Sequence, residues 1–81
     1  MKMPEMEREV FICEYIRDAK EPVSPGMIQC AVEKAQGESI SRGCIYNDLK
    51  FLLGVEPNLR KERRKDGQTV YYFLFDYRSW A

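Results

Sequence analysis

The stretch Ile40-Ser41-Arg42-Gly43-Cys44-Ile45-Tyr46-Asn47-Asp48-Leu49-Lys50-Phe51-Leu52 decides how the chain is read. Ser41 is placed to cap a helix through its hydroxyl. Ile40 before the cap and Ile45 four residues into the helix have the spacing of a hydrophobic staple. Ile45, Leu49, Leu52 and Leu53 recur at helical spacing and predict one buried face, with Gly54 as the stop. A helix over residues 42–53 follows. Its outward side then carries Gly43, Asn47 and Lys50, flanked by Arg42, Cys44 and Tyr46.

Upstream, only the segment from Gly37 to Ile40 separates this helix from another. Ser24 as cap, Pro25 at the first helical position and Gly37 as a left-handed stop predict a helix over 25–36, with Ile28, Ala31, Val32 and Ala35 as its apolar stripe. Two helices joined by so short a link form a tight helix–turn–helix. Before them, Glu21-Pro22-Val23 is an extended link, since a residue preceding proline avoids the helical region; Val23 is a candidate for a minimal extra strand. A first helix is expected over about 4–20, opened by Pro4 and by Glu5, Glu7 and Glu9 at the positive end of the dipole. It is apolar on more than one side. Met6, Val10 and Cys13 form one row, Ile12, Ile16 and Ala19 another, and Phe11 and Tyr15 a further face, so the helix is suited to touching something besides its own core.

Downstream the period changes. Asp66-Gly67 reads as a two-residue hairpin turn. Gln68 to Phe75 is rich in strand formers and predicts the second strand of a hairpin over about 59–75. In this reading Val70, Tyr72 and Leu74 face the helices and Tyr71, Phe73 and Phe75 face away. An aromatic tail, 76–81, completes a single α+β domain spanning 1–81.

Composition narrows the function. The 81 residues carry 13 Lys+Arg against 13 Asp+Glu and no histidine. His-based acid–base chemistry and His metal ligation are therefore excluded. There is no phosphate-cradling glycine loop, and so short a chain leaves little room for a catalytic pocket once its core is built. No enzymatic activity, cofactor or small-molecule substrate is expected. The longest apolar run, Val70 to Phe75, is far short of the ~20 residues of a membrane span. Cys13, Cys30 and Cys44 are odd in number, contain no Cys-x-x-Cys pair and follow no secretion signal, which predicts free thiols in a reducing cytoplasm and no metal site. For Cys44, in the first turn of the third helix, a redox role stands beside simple tolerance.

The order helix, extended link, helix, tight turn, helix, hairpin resembles the winged helix–turn–helix fold of DNA-binding regulators. The segment from Ile40 to Leu52 is similar to the recognition helix of small winged-helix transcription factors, including the PadR-like group, in its capped small-residue turn and its Ile45, Leu49, Leu52 spacing. Gly67 to Phe75 matches the aromatic-rich strand that follows the family's wing turn. The resemblance covers roughly residues 5–75. Two departures stand out: the insertion-like Glu56-Pro57-Asn58 and the zero net charge where many members are basic.

The resemblance implies a sequence-specific transcriptional regulator of double-stranded DNA, nucleoid-associated when bound; the cytoplasmic location is expected from the cysteines, and a homodimer from the aromatic residues given below. The third helix would enter the major groove and the basic wing would follow the phosphates. Asn47 can contact adenine in bidentate fashion, Arg42 guanine or phosphate, and Lys50 phosphate. Gly43 allows close backbone approach, and Ser41 with the free N–H groups of the first turn can hold a phosphate. Tyr46 flanks the same face. Asp48 opposes this charge unless it pairs with Arg42 or reads a cytosine amino group.

Arg60, Lys61, Arg63, Arg64 and Lys65, with Glu62 among them, form a run of net +4. Residues 41–65 together are also net +4, so the zero total conceals a dipolar chain. Such a run serves phosphate binding through counterion release and equally discourages strand-edge aggregation. Phe11, Tyr15, Tyr71, Phe73, Phe75, Tyr77 and Trp80 are the expected dimer surface, two-fold pairing being the commonest assembly; the alternative is an aromatic tail folded on helix one within a monomer. The alternative function is a winged-helix protein-interaction module whose basic wing meets an acidic partner rather than DNA.

Overall fold

A computed structural model describes residues 1–74. The elements are α1 (Glu5–Asp18), α2 (Pro25–Gln36), α3 (Arg42–Val55), β1 (Leu59–Arg63) and β2 (Thr69–Phe73). This is the expected α+β arrangement of three helices followed by a two-stranded antiparallel hairpin.

Local chemistry explains the boundaries. Ser24 Oγ accepts from the Met27 amide and Ser41 Oγ from the Cys44 amide, each at 3.2 Å, so both serine caps satisfy a free helix-start donor. Gly37 ends α2 at φ 72°, a conformation that disfavours any residue with a Cβ. Two helix ends differ from expectation. α1 stops at Asp18, because Ala19 is already extended (ψ 138°) as the chain heads for Pro22 and Val23. α3 runs through Gly54 to Val55, and Glu56, which precedes Pro57, is the first non-helical residue.

The core draws on every element: Ile12 and Ile16 from α1, Ile28 and Val32 from α2, Ile45, Leu49 and Leu52 from α3, Leu59 from β1, and Tyr71 from β2. Ile40 and Ile45 are both buried, as a staple requires. On α2 the buried stripe is Ile28, Val32 and Gln36, whereas Ala35 is exposed. Gln36 is buried because its amide works at the turn: Oε1 accepts from the Met3 amide at 3.2 Å, and Nε2 donates to the carbonyls of Glu38 (3.0 Å) and Ser39 (3.5 Å).

Val23 and Tyr71 exchange both backbone hydrogen bonds, at 2.9 and 2.7 Å, so the link between α1 and α2 does form a one-residue third strand. That pairing corrects the expected orientation of β2. Leu59 pairs with Phe73 and Lys61 with Tyr71, and it is Leu59, Tyr71 and Phe73 that meet the helices. Leu74 is exposed, and Val70 is buried outside that core cluster. Strand side chains alternate, so one apolar anchor in β1, Leu59, decides which side turns inward. Tyr71 belongs to the chain's own core and is not available as an outward dimer residue.

The hairpin turn is also one residue longer than expected. Gly67 N–H donates to Arg64 O and Arg64 N–H to Gln68 O, enclosing Lys65-Asp66-Gly67. A two-residue Asp-Gly turn needs positive φ at both positions; here Gly67 is at φ 89° and Asp66 is not positive. Asp66 Oδ1 instead accepts from the Gln68 amide at 2.9 Å.

Candidate nucleic-acid interface

α3 turns its isoleucine–leucine ridge inward: Ile45 is fully buried and Leu49 and Leu52 nearly so. Ser41, Arg42, Gly43, Tyr46, Asn47 and Lys50 are consequently exposed on the other side. Arg42 is positioned rather than loose. Its Nε donates to Gln29 Oε1 of α2 at 2.7 Å, and Gln29 Nε2 in turn donates to the Ile40 carbonyl at 2.7 Å. Gly43 is not demanded by internal packing, since a Cβ there would meet only Ser41 Oγ, at 3.8 Å. The backbone on that side is open to approach.

Asp48 is the residue that sequence reasoning misplaced. It is 1% exposed and neither pairs with Arg42 nor faces solvent. Arg8 of α1 grips it with two donors, Nε to Oδ2 and Nη2 to Oδ1. Bonding to Asp48 raises the Arg8 pKa above its already high value, so the guanidinium stays charged. Glu5 and Glu9 lie beside this pair, their carboxylate oxygens and those of Asp48 within 4.8 Å of one another. Partial desolvation, then the neighbouring Asp48 and Glu5 charges, pushes the Glu9 carboxyl up. Arg8 is thus the cation that this acidic group surrounds. A signal for the pair was present: Asp48 falls in the 45-48-49-52 rhythm of the buried face, and Arg8 starts the row Arg8, Ile12, Ile16.

The hairpin presents the second half of the site. Arg60, Lys61, Arg63, Arg64 and Lys65 are all exposed. Arg60 folds back, its Nη1 donating to the Pro57 carbonyl at 2.6 Å, whereas no ion pair engages Lys61, Arg63, Arg64 or Lys65 among the described residues. The hairpin meets α3 through β1, whose Leu59 joins the core that holds Ile45, Leu49 and Leu52. Burial, and after it the Tyr46 phenol, raises the Tyr71 pKa.

Of the aromatic residues expected at a dimer surface, Phe11 and Tyr15 stack with ring centroids 6.5 Å apart and are half-buried against the core. Phe73 is half-buried beneath the Arg17 guanidinium, 4.6 Å from its ring centroid. Phe75, Tyr77 and Trp80 lie outside the described residues. All three thiols are free: Cys13 buried, Cys44 half-buried and Cys30 exposed. No helix among the described residues is long and apolar enough to cross a membrane. Compared with known proteins, the chain matches no family model, no curated protein and no solved structure.

Proposed function

We propose that this chain is a winged helix–turn–helix protein that binds double-stranded DNA sequence-specifically, as a small transcriptional regulator. α3 occupies the major groove, and the β1–β2 hairpin is a wing along the phosphate backbone. The observation that carries this reading is the withdrawal of Asp48. It is the only acidic residue of α3, and burial against Arg8 removes it from the face that carries Arg42, Asn47 and Lys50. A helix left with cations and an amide on its exposed side, beside a hairpin run of net +4, suits a polyanion.

The roles divide by chemistry. Asn47 reads a base edge, with adenine as the favoured partner, and Arg42 reads guanine or holds a phosphate. Lys50, Lys61, Arg63, Arg64 and Lys65 neutralise phosphates and set register, with Arg60 at the base of the wing. Ser41 and the first-turn amides of α3 hold a phosphate next to Gly43, and Tyr46 packs at the groove edge.

The test is selection of bound sequences from a random duplex pool, followed by fluorescence anisotropy against salt. Binding should weaken steeply with salt. Replacing Arg63 and Arg64 together by alanine should lower the log–log slope by about 2, at roughly 0.9 per phosphate contact. N47A should relax preference at one base position and leave the slope unchanged. Affinity for duplex DNA that is absent at low salt, or indifferent to salt, refutes the proposal.

A further inference from the structure

Two side chains of α2, one helical turn apart, hold the turn between α2 and α3. Gln29 Nε2 donates to the Ile40 carbonyl at 2.7 Å, and Glu33 Oε2 accepts from the Ile40 amide at 3.0 Å. Both backbone groups of Ile40 are thus satisfied from α2. Gln29 has a second task. Its Oε1 accepts from Arg42 Nε at 2.7 Å, so one amide joins the turn carbonyl to the first residue of α3. No carboxylate pairs with Arg42 among the described residues.

This bond fixes where the guanidinium lies. Arg42 is exposed, yet its Nη2 and Cζ sit 3.5 and 3.9 Å from the place that a Cβ would occupy on Gly26. The guanidinium is therefore laid back on α2. With Nε engaged, its free donors are the Nη1 and Nη2 groups. Arg42 and Gln29 line a groove of about 630 Å³ along α2, which includes Lys34 and no carboxylate. Asn47 projects elsewhere. Five residues at 3.6 per turn put it about 140° round α3 from Arg42 and about 7.5 Å further along.

We infer that Gln29 is a positioning residue that commits Arg42 to a backbone phosphate and withholds it from the bases, leaving base reading to Asn47. This commitment presupposes that α3 binds duplex DNA, as proposed above, and decides between the two roles open to Arg42 there. A guanine contact needs the Nη fork inside the major groove, on the face of α3 that carries Asn47. Laid on α2, the same fork meets the phosphate backbone, which the helix before a recognition helix crosses. A guanidinium takes a phosphate through two parallel N–H donors, and Nη1 and Nη2 remain free for this. Gln29 suits the task because it fixes Nε without neutralising the cation, as an acidic side chain would. Ordering the arginine before DNA arrives also removes part of the cost of immobilising it on binding.

The test uses the full chain and the duplex selected from the random pool. R42A should lower the log–log salt slope by about 1 and leave the preference at every base position as in the wild type. Q29M keeps the bulk and removes both hydrogen bonds. It should weaken binding about fivefold in the wild-type background and by less than about twofold in R42A, since its effect runs through Arg42. A merely structural role would cost the same in both backgrounds. In the free wild-type chain, 15N relaxation should give the Arg42 Nε–H an order parameter above about 0.6, falling below that in Q29M. Loss of one base preference in R42A makes Arg42 a base reader and overturns the inference. An equal cost of Q29M in both backgrounds overturns it too, as does an Arg42 Nε that is already mobile in the wild type. The R42A profile and the wild-type relaxation decide the matter even if Q29M fails to fold. A wild-type chain that binds no duplex removes the DNA proposal and this inference with it, whereas the three results above remove only this inference.

Discussion

Replacing Arg8 by methionine is the sharpest perturbation of this fold. The substitution keeps most of the aliphatic stem and deletes the guanidinium. Asp48 is then a carboxylate at 1% exposure with its two strongest hydrogen bonds gone. Exposed ion pairs contribute about 0–1 kcal/mol. Removing one partner of a buried pair costs about 3–5 kcal/mol, because the remaining charge has lost both water and its counter-ion. The Arg8 and Asp48 side chains are 10% and 1% exposed, which puts the pair in the second class. An 81-residue domain has on the order of 4–12 kcal/mol in total, so R8M should remove about a quarter or more of its stability. The assay is urea denaturation followed by circular dichroism at pH 7 on wild type, R8M, D48L and the double variant. Each single change should cost about 3–5 kcal/mol, and the double should recover most of that loss, since neither charge is then left alone. A loss below about 1 kcal/mol in R8M, or a double variant that loses the sum of the singles, refutes the claim that this pair is a buried cross-link between α1 and α3.

Three further outcomes follow from named features. Gly67 sits at φ 89° in the hairpin turn, so G67A should destabilise by about 1–2 kcal/mol in the same urea assay although a Cβ there meets nothing within 4 Å. Thiol labelling of the native chain should run Cys30 first and Cys13 last; Cys13 is buried and its thiol pKa is raised by burial, with the Glu56 carboxylate that accepts its S–H adding to the effect. Burial also raises the Tyr71 phenol, so the unfolded chain ionises there first. Stability should therefore hold below the ordinary tyrosine value near pH 10 and fall above it, and Y71F should blunt that alkaline loss in urea titrations at pH 9–11.

What the sequence disclosed was governed by local rules. The caps at Ser24 and Ser41, the left-handed Gly37 and the whole of α2 depend on groups a few residues apart and were legible at once. So was the outward face of α3, because the ridge from Ile45 to Leu52 fixes it. The errors arose where distant partners decide. Gly54 reads as a stop, yet nothing in the packed fold prevents it from being helical, and the break waits for the residue before Pro57. The inward side of β2 follows from Leu59 opposite Phe73 and from Val23 opposite Tyr71, and alternating apolar residues on both sides of the strand hid that choice. The Arg8–Asp48 pair joins residues far apart in the chain, so composition registered two ordinary surface charges. The exposed Met6–Val10 ridge is the converse case. Its helical rhythm resembles that of a core stripe, and only the packing shows α1 burying Ile12 and Ile16 instead.

The single bridge between Val23 and Tyr71 has a kinetic consequence. It joins the α1–α2 link to the last strand, so its closure must wait until the intervening chain has condensed, and the loop entropy involved makes it a late event in folding. Once made, it divides the hairpin into two regimes. The amides of Val23 and Tyr71 should exchange with deuterium only through global opening, while those at the Lys65–Gly67 tip should exchange by local fluctuation. The arm would then be anchored at its root and pliant at its end, able to adjust to an uneven surface without loosening the body that carries it.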